Sequence, residues 1–447
     1  MSVEFVPPGP KGHFLLGHLS EYGKNPLDFL TRCARDYGDL VHVRFPRTRV
    51  YLLNHPQLIE EVLAADSANF IRHKGMRLRL TQRLLGNGLL TSEGSFSHGQ
   101  RRLALPAFHR ERVAAYAEVM TARTGRMLDT WRAGETRDVH PDMMRLTMEI
   151  IAKTLFGADV TEATGDAALA LDILKDEFTA QRTPIKSLSC IFSLPVSKRA
   201  RKAVRQLDGM IRRIIQERRT SDEDSGDLLS MLLAARDENG GRLTEQQLRD
   251  EATTFFFAGH EATGLTLAWA LYLLAQHPEV DARLASELLD VLGGRPPCAE
   301  DLPRLRYTSR ILKETLRLYP PAWAVGREAL LDCSLGGCDV PAGTQLIMSQ
   351  WVLHRDPRYY DCPEEFRPER WSDDFVKRLP KYAYFPYGGG ARVCIGNAFA
   401  EMEMVLLLAM IAQRFRFGLA PGQRVTPLAT FALAPKNGIK LVLSERR

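Results

Sequence analysis

From Thr244 to Gln276 the chain carries a helical pattern of unusual length that is apolar on most sides. A helix with no face to give to solvent runs through the centre of its protein, and the other elements must pack around it. Thr244 is the expected N-cap, and Gln247, three residues on, completes a capping box. The middle reads Phe255-Phe256-Phe257-Ala258-Gly259-His260-Glu261-Ala262-Thr263-Gly264. A glycine inside a helix costs about 1 kcal/mol against alanine, so Gly259 and Gly264 need a reason. Two are open. Gly259, Ala262 and Thr263 share a face at i, i+3 and i+4, where small side chains would let a flat ligand lie beside the Glu261 carboxylate. Alternatively the glycines let a second helix approach closely.

A second stretch, Tyr387-Gly388-Gly389-Gly390-Ala391-Arg392-Val393-Cys394-Ile395-Gly396, sets a single cysteine at the mouth of a following apolar helix, about 398–415. Three glycines permit positive-φ turns and close approach to a flat partner. A helix N-terminus and Arg392 would supply the N–H donors and positive charge that keep a thiolate ionised. The same residues also describe a glycine-rich turn around a buried, inert cysteine.

Two charged groupings stand out elsewhere. Glu314 and Arg317 are i, i+3 neighbours on a largely apolar helix, about 305–319, so beyond a surface pair they can form a buried one, with Arg370 of Arg367-Pro368-Glu369-Arg370-Trp371 as third member. Arg101 and Arg102 lie about 100° apart on a helix, so one can face inward and the other water, or both can be a surface pair.

The remainder bounds the class. No Pro/Gly/Ser-rich linker divides the 447 residues, and with 45% hydrophobic and 26% charged residues the chain can bury one large core. The 60 basic residues stand against 54 acidic ones and are spread out, with no clustered stripe for nucleic acid. Seven scattered cysteines include no C-x-x-C pair, which argues against zinc or iron–sulfur sites. Neither a signal-peptide pattern nor a run of about eighteen apolar residues is present, so a cytoplasmic chain without a membrane anchor is expected. A helix over 26–37 precedes strands at 39–45 and 50–53. Helical periodicity then dominates from 56 to 276, broken at Gly86-Asn87-Gly88, Gly134, Gly157, Pro184, Pro195 and 221–226. A helix over 278–292, strands near 324–330 and 345–349, and a C-terminal hairpin running to Leu443 complete the pattern.

Taken together, the cysteine loop, Ala258-Gly259-His260-Glu261-Ala262-Thr263, Glu314-Thr315-Leu316-Arg317 and Pro368-Glu369-Arg370-Trp371 resemble, in order and spacing, the cytochrome P-450 superfamily of haem-thiolate monooxygenases of the soluble bacterial type. The resemblance spans essentially the whole chain. It implies a mainly α fold with a small β region, haem b lying between a long central distal helix and a proximal cysteine loop and helix. One domain, 1–447, would comprise a β lobe (about 39–70 and 320–350) and a helical body (about 90–318 and 395–416). Cys394 would be the iron ligand, and a thiolate favours O–O cleavage where a histidine would not, so the ligand selects the reaction class. Arg101, Arg327 and Arg392 would meet the haem propionates, with Ala258, Gly259, Tyr387, Gly388 and Gly396 also against the cofactor. Glu261, Ala262 and Thr263 are the catalytic candidates. Leu85, Leu89, Phe257, Ala258, Ala262, Trp323, Val325 and Phe431 would line the substrate pocket, and Glu314, Arg317 and Arg370 would form a structural network.

Three departures from the family pattern matter. Ala262 stands where a threonine follows the acid, with Thr263 one residue later. Ser97 replaces the aromatic or histidine residue four before the propionate arginine, with His98 beside it. Tyr387 replaces the phenylalanine seven before the ligand, and its hydroxyl needs a partner. The implied activity is hydroxylation or epoxidation of a hydrophobic small molecule of secondary metabolism, such as a fatty acid, terpenoid or polyketide-like compound. It would use O2 and two electrons from an external ferredoxin or flavodoxin with its NAD(P)H-dependent reductase, which basic residues such as Lys377, Arg378 and Lys381 would attract. The enzyme would be a monomer. Ala262 keeps oxidative coupling or a peroxide-driven reaction as the alternative, and a non-catalytic haem sensor is a second.

Overall fold

The computed structural model describes residues 6–46, 48–65, 68–73, 76, 79–159, 169–170, 173–174, 177, 197–220, 227–236 and 241–446; the expected breaks at Pro184, Pro195 and 221–226 lie outside them. The central helix is Glu245–Gln276, and it starts as its sequence requires: Thr244 Oγ1 accepts the Gln247 N–H at 3.2 Å and Gln247 Oε1 accepts the Thr244 N–H at 2.8 Å. Nearly every residue from Leu248 to Leu274 is buried.

Helix Val139–Phe156 crosses the central helix closely, and the two glycines serve that crossing. A Cβ on Gly259 would stand 2.6 Å from Ile151 Cδ1, and one on Gly264 3.0 Å from Met144 Sδ and from Thr147 Oγ1. Thr147 then donates its hydroxyl to the His260 carbonyl at 2.9 Å. Close helix packing, the second of the two reasons left open by the sequence, accounts for Gly259 and Gly264.

The β region is a five-stranded sheet. Its strands are β1 (Leu40–Phe45), β2 (Thr48–Leu53), β3 (Phe70–Arg72), β4 (Val325–Ala329) and β5 (Gln345–Met348), in the order β1-β2-β5-β4-β3. β2 and β5 run parallel and the other pairs antiparallel. The β3–β4 register sets Arg72 directly opposite Arg327. Like charges opposed across a ladder are unfavourable unless something between them is negative. Helix Pro26–Tyr37, begun by Asn25 accepting the Asp28 N–H with Pro26 at its first position, buries Leu27, Phe29, Leu30 and Cys33 against Val41, Val43, Val50 and Leu52 of the sheet. At the C-terminal end the expected hairpin is Pro427–Ala429 with Leu433–Pro435. The last strand, Lys440–Glu445, pairs instead with Phe415–Leu419, the strand that leaves the cysteine helix Asn397–Arg414. No helix among the described residues is long and apolar enough to cross a membrane.

A buried ion network locks the chain that leads to the cysteine loop. On helix Arg306–Leu318, Glu314 and Arg317 are both fully buried and pair through two bonds, at 2.8 and 2.9 Å. Arg317 spends its remaining N–H groups on the carbonyls of His354, Pro363 and Glu365, so every donor of the fork is engaged. Glu314 also accepts from Arg370 Nε at 2.8 Å, from Trp371 Nε1 at 2.9 Å and from the Arg367 N–H at 3.0 Å. Such a pair is costly to break because its partner remains buried and charged. Glu314→Ala is therefore expected to lower unfolding free energy by about 3–5 kcal/mol in chemical denaturation, whereas a loss under about 1 kcal/mol would mark a surface-type pair.

His354, at the end of the short helix Gln350–Leu353, is wholly buried and takes the Phe385 N–H on Nε2 at 3.1 Å, fixing the backbone just before the loop. Burial, with the charges of Arg317 and Arg355, pushes its pKa from 6.5 down to about 3. The unfolded chain thus binds this proton first as pH falls. The contribution to stability is complete above about pH 6.5 and is lost at about 1.4 kcal/mol per pH unit from there towards pH 3. Denaturation of His354→Gln, which keeps an acceptor but cannot titrate, should show a stability–pH slope flatter by about that amount between pH 6 and 4; an identical slope in both proteins would refute the assignment.

Candidate functional site

The Cys394 N–H donates to the Tyr387 carbonyl at 3.0 Å and closes the loop. Gly388 and Gly390 have positive φ, 72° and 64°. A Cβ on Gly390 would strike the Leu63 carbonyl oxygen at 1.7 Å, and one on Gly389 the Tyr382 ring at 2.2 Å. Those two glycines fit the loop against its own protein, and of the three only Gly388, the one expected against the cofactor, faces open space, with no atom within 4 Å of its Cβ position. The helix begins at Asn397 with Gly396 as N-cap, so Cys394 stands just ahead of it.

The Cys394 thiol is open to a solvent-sized space and yet lies deep in the protein, as a group lining an internal cavity does. Burial raises its pKa, opposed by the Gly396 N–H and the charge of Arg101, with Glu401 adding to the rise. This differs from the expected thiolate held by Arg392: desolvation outweighs the donors, and Arg101 is the nearby cation that acts on the sulfur. A metal ion binding the sulfur would displace the thiol proton to solvent.

Arg392 is turned elsewhere. It pairs with Glu93 and donates Nη1 to the Ser92 carbonyl at 3.1 Å. Glu93, the N-cap residue of helix Gly94–Ala104, also accepts the Arg72 N–H at 2.8 Å and lies 3.9 Å from Arg72 Nε. Burial, followed by the charge of Arg392, pushes Arg72 down to about 9 and Arg327 down to about 10. Among the described residues, Arg72, Arg327 and Arg392 share one neighbourhood with the Glu93 carboxylate. Guanidinium groups are the donors that the two carboxylates of haem would take. The donor set fits that group, and a thiol open to an interior space fits its iron.

The grouping adds Arg72 to the expected propionate residues. Arg72 was not foreseen, because only the register of the three-residue strand β3 brings it to Arg327; a run so short leaves no periodicity to detect. Arg101, expected in the set, donates Nη1 to the Val393 carbonyl at 2.8 Å on the cysteine side. Arg102 is exposed, as one member of that pair was expected to be. Ser97 is buried, and His98, about 100° further round the helix, is exposed, so His98 does not take the inward position of the missing ring.

On the central helix Ala258 and Ala262, one turn apart, are exposed and Gly259 half-buried, while Phe257, His260, Glu261 and Thr263 are buried. A helix otherwise enclosed can be uncovered at two such residues only by an internal space. Glu403 of the cysteine helix is a fully buried carboxyl whose oxygens have no hydrogen-bond partner among the described residues, and burial raises its pKa well above the usual range. Thr263 is buried where Ala262 is exposed, so its hydroxyl does not open onto the space beside Ala262. Among the pocket candidates, Phe257 packs edge to face on Phe431 at 5.1 Å, and Leu89, Val325 and Phe431 are half-buried. Leu85 is a core residue, and Trp323 is held in the cluster beneath helix Pro26–Tyr37 with its N–H on the Thr430 carbonyl at 3.1 Å, which removes both from any open wall. The Tyr387 hydroxyl is buried without a hydrogen-bond partner, and burial raises its pKa well above 10, with the charges of Glu401 and Cys394 adding to it.

Residues 7–442 match the protein-family profile described as Cytochrome P450. Cyclooctatin synthase of Streptomyces melanosporofaciens is 38% identical over 427 residues, covering 95% of this chain and 92% of the relative. Cyclooctat-9-en-7-ol 5-monooxygenase of the same organism is 38% identical over 410 residues, covering 91% and 88%. A solved structure, retinoic acid bound cyanobacterial CYP120A1, superposes with a TM-score of 0.89 at 26% identity over 100% of both chains. Sequence and fold thus agree over nearly the full length, and the chain belongs to the cytochrome P450 family.

Proposed function

We propose that this cytochrome P450 oxidises an alicyclic terpenoid-type hydrocarbon or alcohol, acting as a cytoplasmic monomer on electrons from a separate ferredoxin or flavodoxin. Two of its relatives are named as a cyclooctat-9-en-7-ol 5-monooxygenase and a pentalenene oxygenase, and the first name gives oxidation of an alkenol at a second carbon. The observation that carries the substrate class is the uncovered pair Ala258 and Ala262, small and apolar, beside the Phe257–Phe431 ring contact. Such a wall offers area to a bulky hydrocarbon and no charge to a polar one.

Haem, when bound, supplies activation of O2, one atom of which enters a C–H or C=C bond while the other leaves as water with two electrons from the redox partner and two protons. Cys394 would hold the iron through Sγ, and Arg72, Arg327 and Arg392 would receive the propionates. Arg101, close to the sulfur, would favour its ionised form. Apolar packing by Phe257, Ala258, Ala262 and Phe431 would orient the substrate and exclude bulk water. Protons must reach the uncovered stripe without a hydroxyl at 262. Thr263 is buried beside that stripe, so Glu261, the adjacent acid, would pass its proton to a water or to a hydroxyl carried by the substrate. The exposed Lys377 and Arg378, at the end of helix Asp373–Arg378, are suited to an acidic electron donor, while Lys381 is already paired with Glu60 at 2.9 Å.

The test is turnover by the holoenzyme with surrogate ferredoxin and reductase against a panel of cyclic terpene hydrocarbons and their alcohols. A product heavier by one oxygen, absent in Cys394→Ala, is expected. A dehydrogenated or coupled product with no oxygen added would overturn monooxygenation in favour of the coupling chemistry that Ala262 leaves open. Turnover confined to fatty acids would overturn the substrate class.

A further inference from the structure

Two successive carboxylates near the start of the central helix serve neither the cofactor nor the uncovered stripe. Asp250 Oδ2 accepts the Asn87 N–H at 2.9 Å, and Glu251 Oε2 accepts the Leu89 N–H at 3.1 Å. Both acids are buried, Glu251 to 1% exposure. The loop they hold lies flat on the helix. A Cβ on Gly86 would come 2.1 Å from the Asp250 carboxylate, and one on Gly88 2.2 Å from Thr254 Oγ1. Thr91 closes the loop on itself by donating its hydroxyl to the Gly86 carbonyl at 2.8 Å.

The other backbone group of Leu89 is held from the opposite side. Its carbonyl accepts Arg72 Nη2 at 2.8 Å, and Arg72 belongs to the cationic group around Glu93. Leu89 is therefore gripped at both its N–H and its C=O by buried charged side chains. A buried carboxylate is an expensive way to occupy space, since an apolar side chain of similar volume would avoid the desolvation cost. Burial pushes the Glu251 carboxyl up to about 7, the Leu89 N–H pulling it down and the Asp250 charge adding to the rise. Either protonation form keeps an oxygen that can accept the amide. What the arrangement secures is the placement of one short segment, Leu89-Leu90, whose side chains are half-buried against the core beside the central helix.

We propose that Glu251 and Arg72 are positioning residues that fix the Leu89-Leu90 segment as a wall of the substrate cavity, and so set which molecules the cavity admits without touching them. The proposal rests on the reading of that cavity as a substrate pocket over haem. It further implies that the wall is coupled to the cofactor seat, because Arg72 reaches both Leu89 and the arginine group.

The experiment uses holoenzyme and two iron-ligating probes of different bulk, 4-phenylimidazole and clotrimazole, with amide hydrogen exchange of residues 86–91 as an independent readout. In Glu251→Leu the Leu89 amide should exchange about tenfold faster or more, and the ratio of the two azole affinities should shift by about tenfold in favour of the bulky probe. Glu251→Gln, which retains an acceptor oxygen, should stay within about threefold of wild type on both readouts. An unshifted ratio in Glu251→Leu, or a Gln variant as perturbed as the Leu one, overturns the proposal. Should Glu251→Leu fail to fold, the wild-type amide decides: protection of about a hundredfold or more over a free peptide supports the grip, and free-peptide exchange overturns it. Failure of the haem reading would look different, as a wild-type protein that shows neither azole spectrum while its Leu89 amide stays protected.

Discussion

Three guanidinium groups drawn together repel one another, and the Glu93 carboxylate among them offsets part of that repulsion. Arg72 and Arg327 face each other across β3 and β4, Arg392 arrives from the cysteine loop, and Glu93 comes from a helix N-cap. Four separate parts of the chain thus converge on one point, where burial first and the charge of Arg392 second lower the pKa values of Arg72 and Arg327. An anion relieves both, and haem brings two carboxylates. Cofactor binding and completion of the fold at this junction are in that sense one event.

The two sides of the site are held by different physics. On the cysteine side a network of charged groups does the holding: Glu314, Arg317 and Arg370 satisfy one another and the surrounding carbonyls, and His354 passes that rigidity to Phe385, two residues before Tyr387. On the other side shape does it. Ile151, Met144 and Thr147 occupy the spaces that Gly259 and Gly264 leave, so the central helix is pinned on one face and uncovered at Ala258 and Ala262. A rigid ligand loop opposite a pinned helix gives a slot of fixed geometry, as chemistry on a bound flat cofactor requires.

The sequence carries whatever depends on near neighbours. The capping box at Thr244, the proline-started helix at 26–37 and the Glu314–Arg317 pair are all legible at spacings of a few residues, and each is found in the structure. What escapes depends on residues far apart in the chain. The reason for Gly259 is Ile151, more than a hundred positions away, and the role of Arg72 depends on a three-residue strand. The thiol of Cys394 shows the same limit in energetic form. The nearby arginine and helix start suggested an ionised sulfur, but desolvation, which only the fold reveals, prevails in the protein alone.

The central claim is that Cys394 ligates the iron of a haem seated against Arg72, Arg327 and Arg392. The carbon monoxide spectrum of the reduced, haem-loaded protein tests it most directly. The account predicts the red-shifted band of a thiolate-ligated haem in the wild type and its loss in Cys394→Ala. A band of the histidine-ligated type in the wild type, or a thiolate band that survives Cys394→Ala, would contradict it.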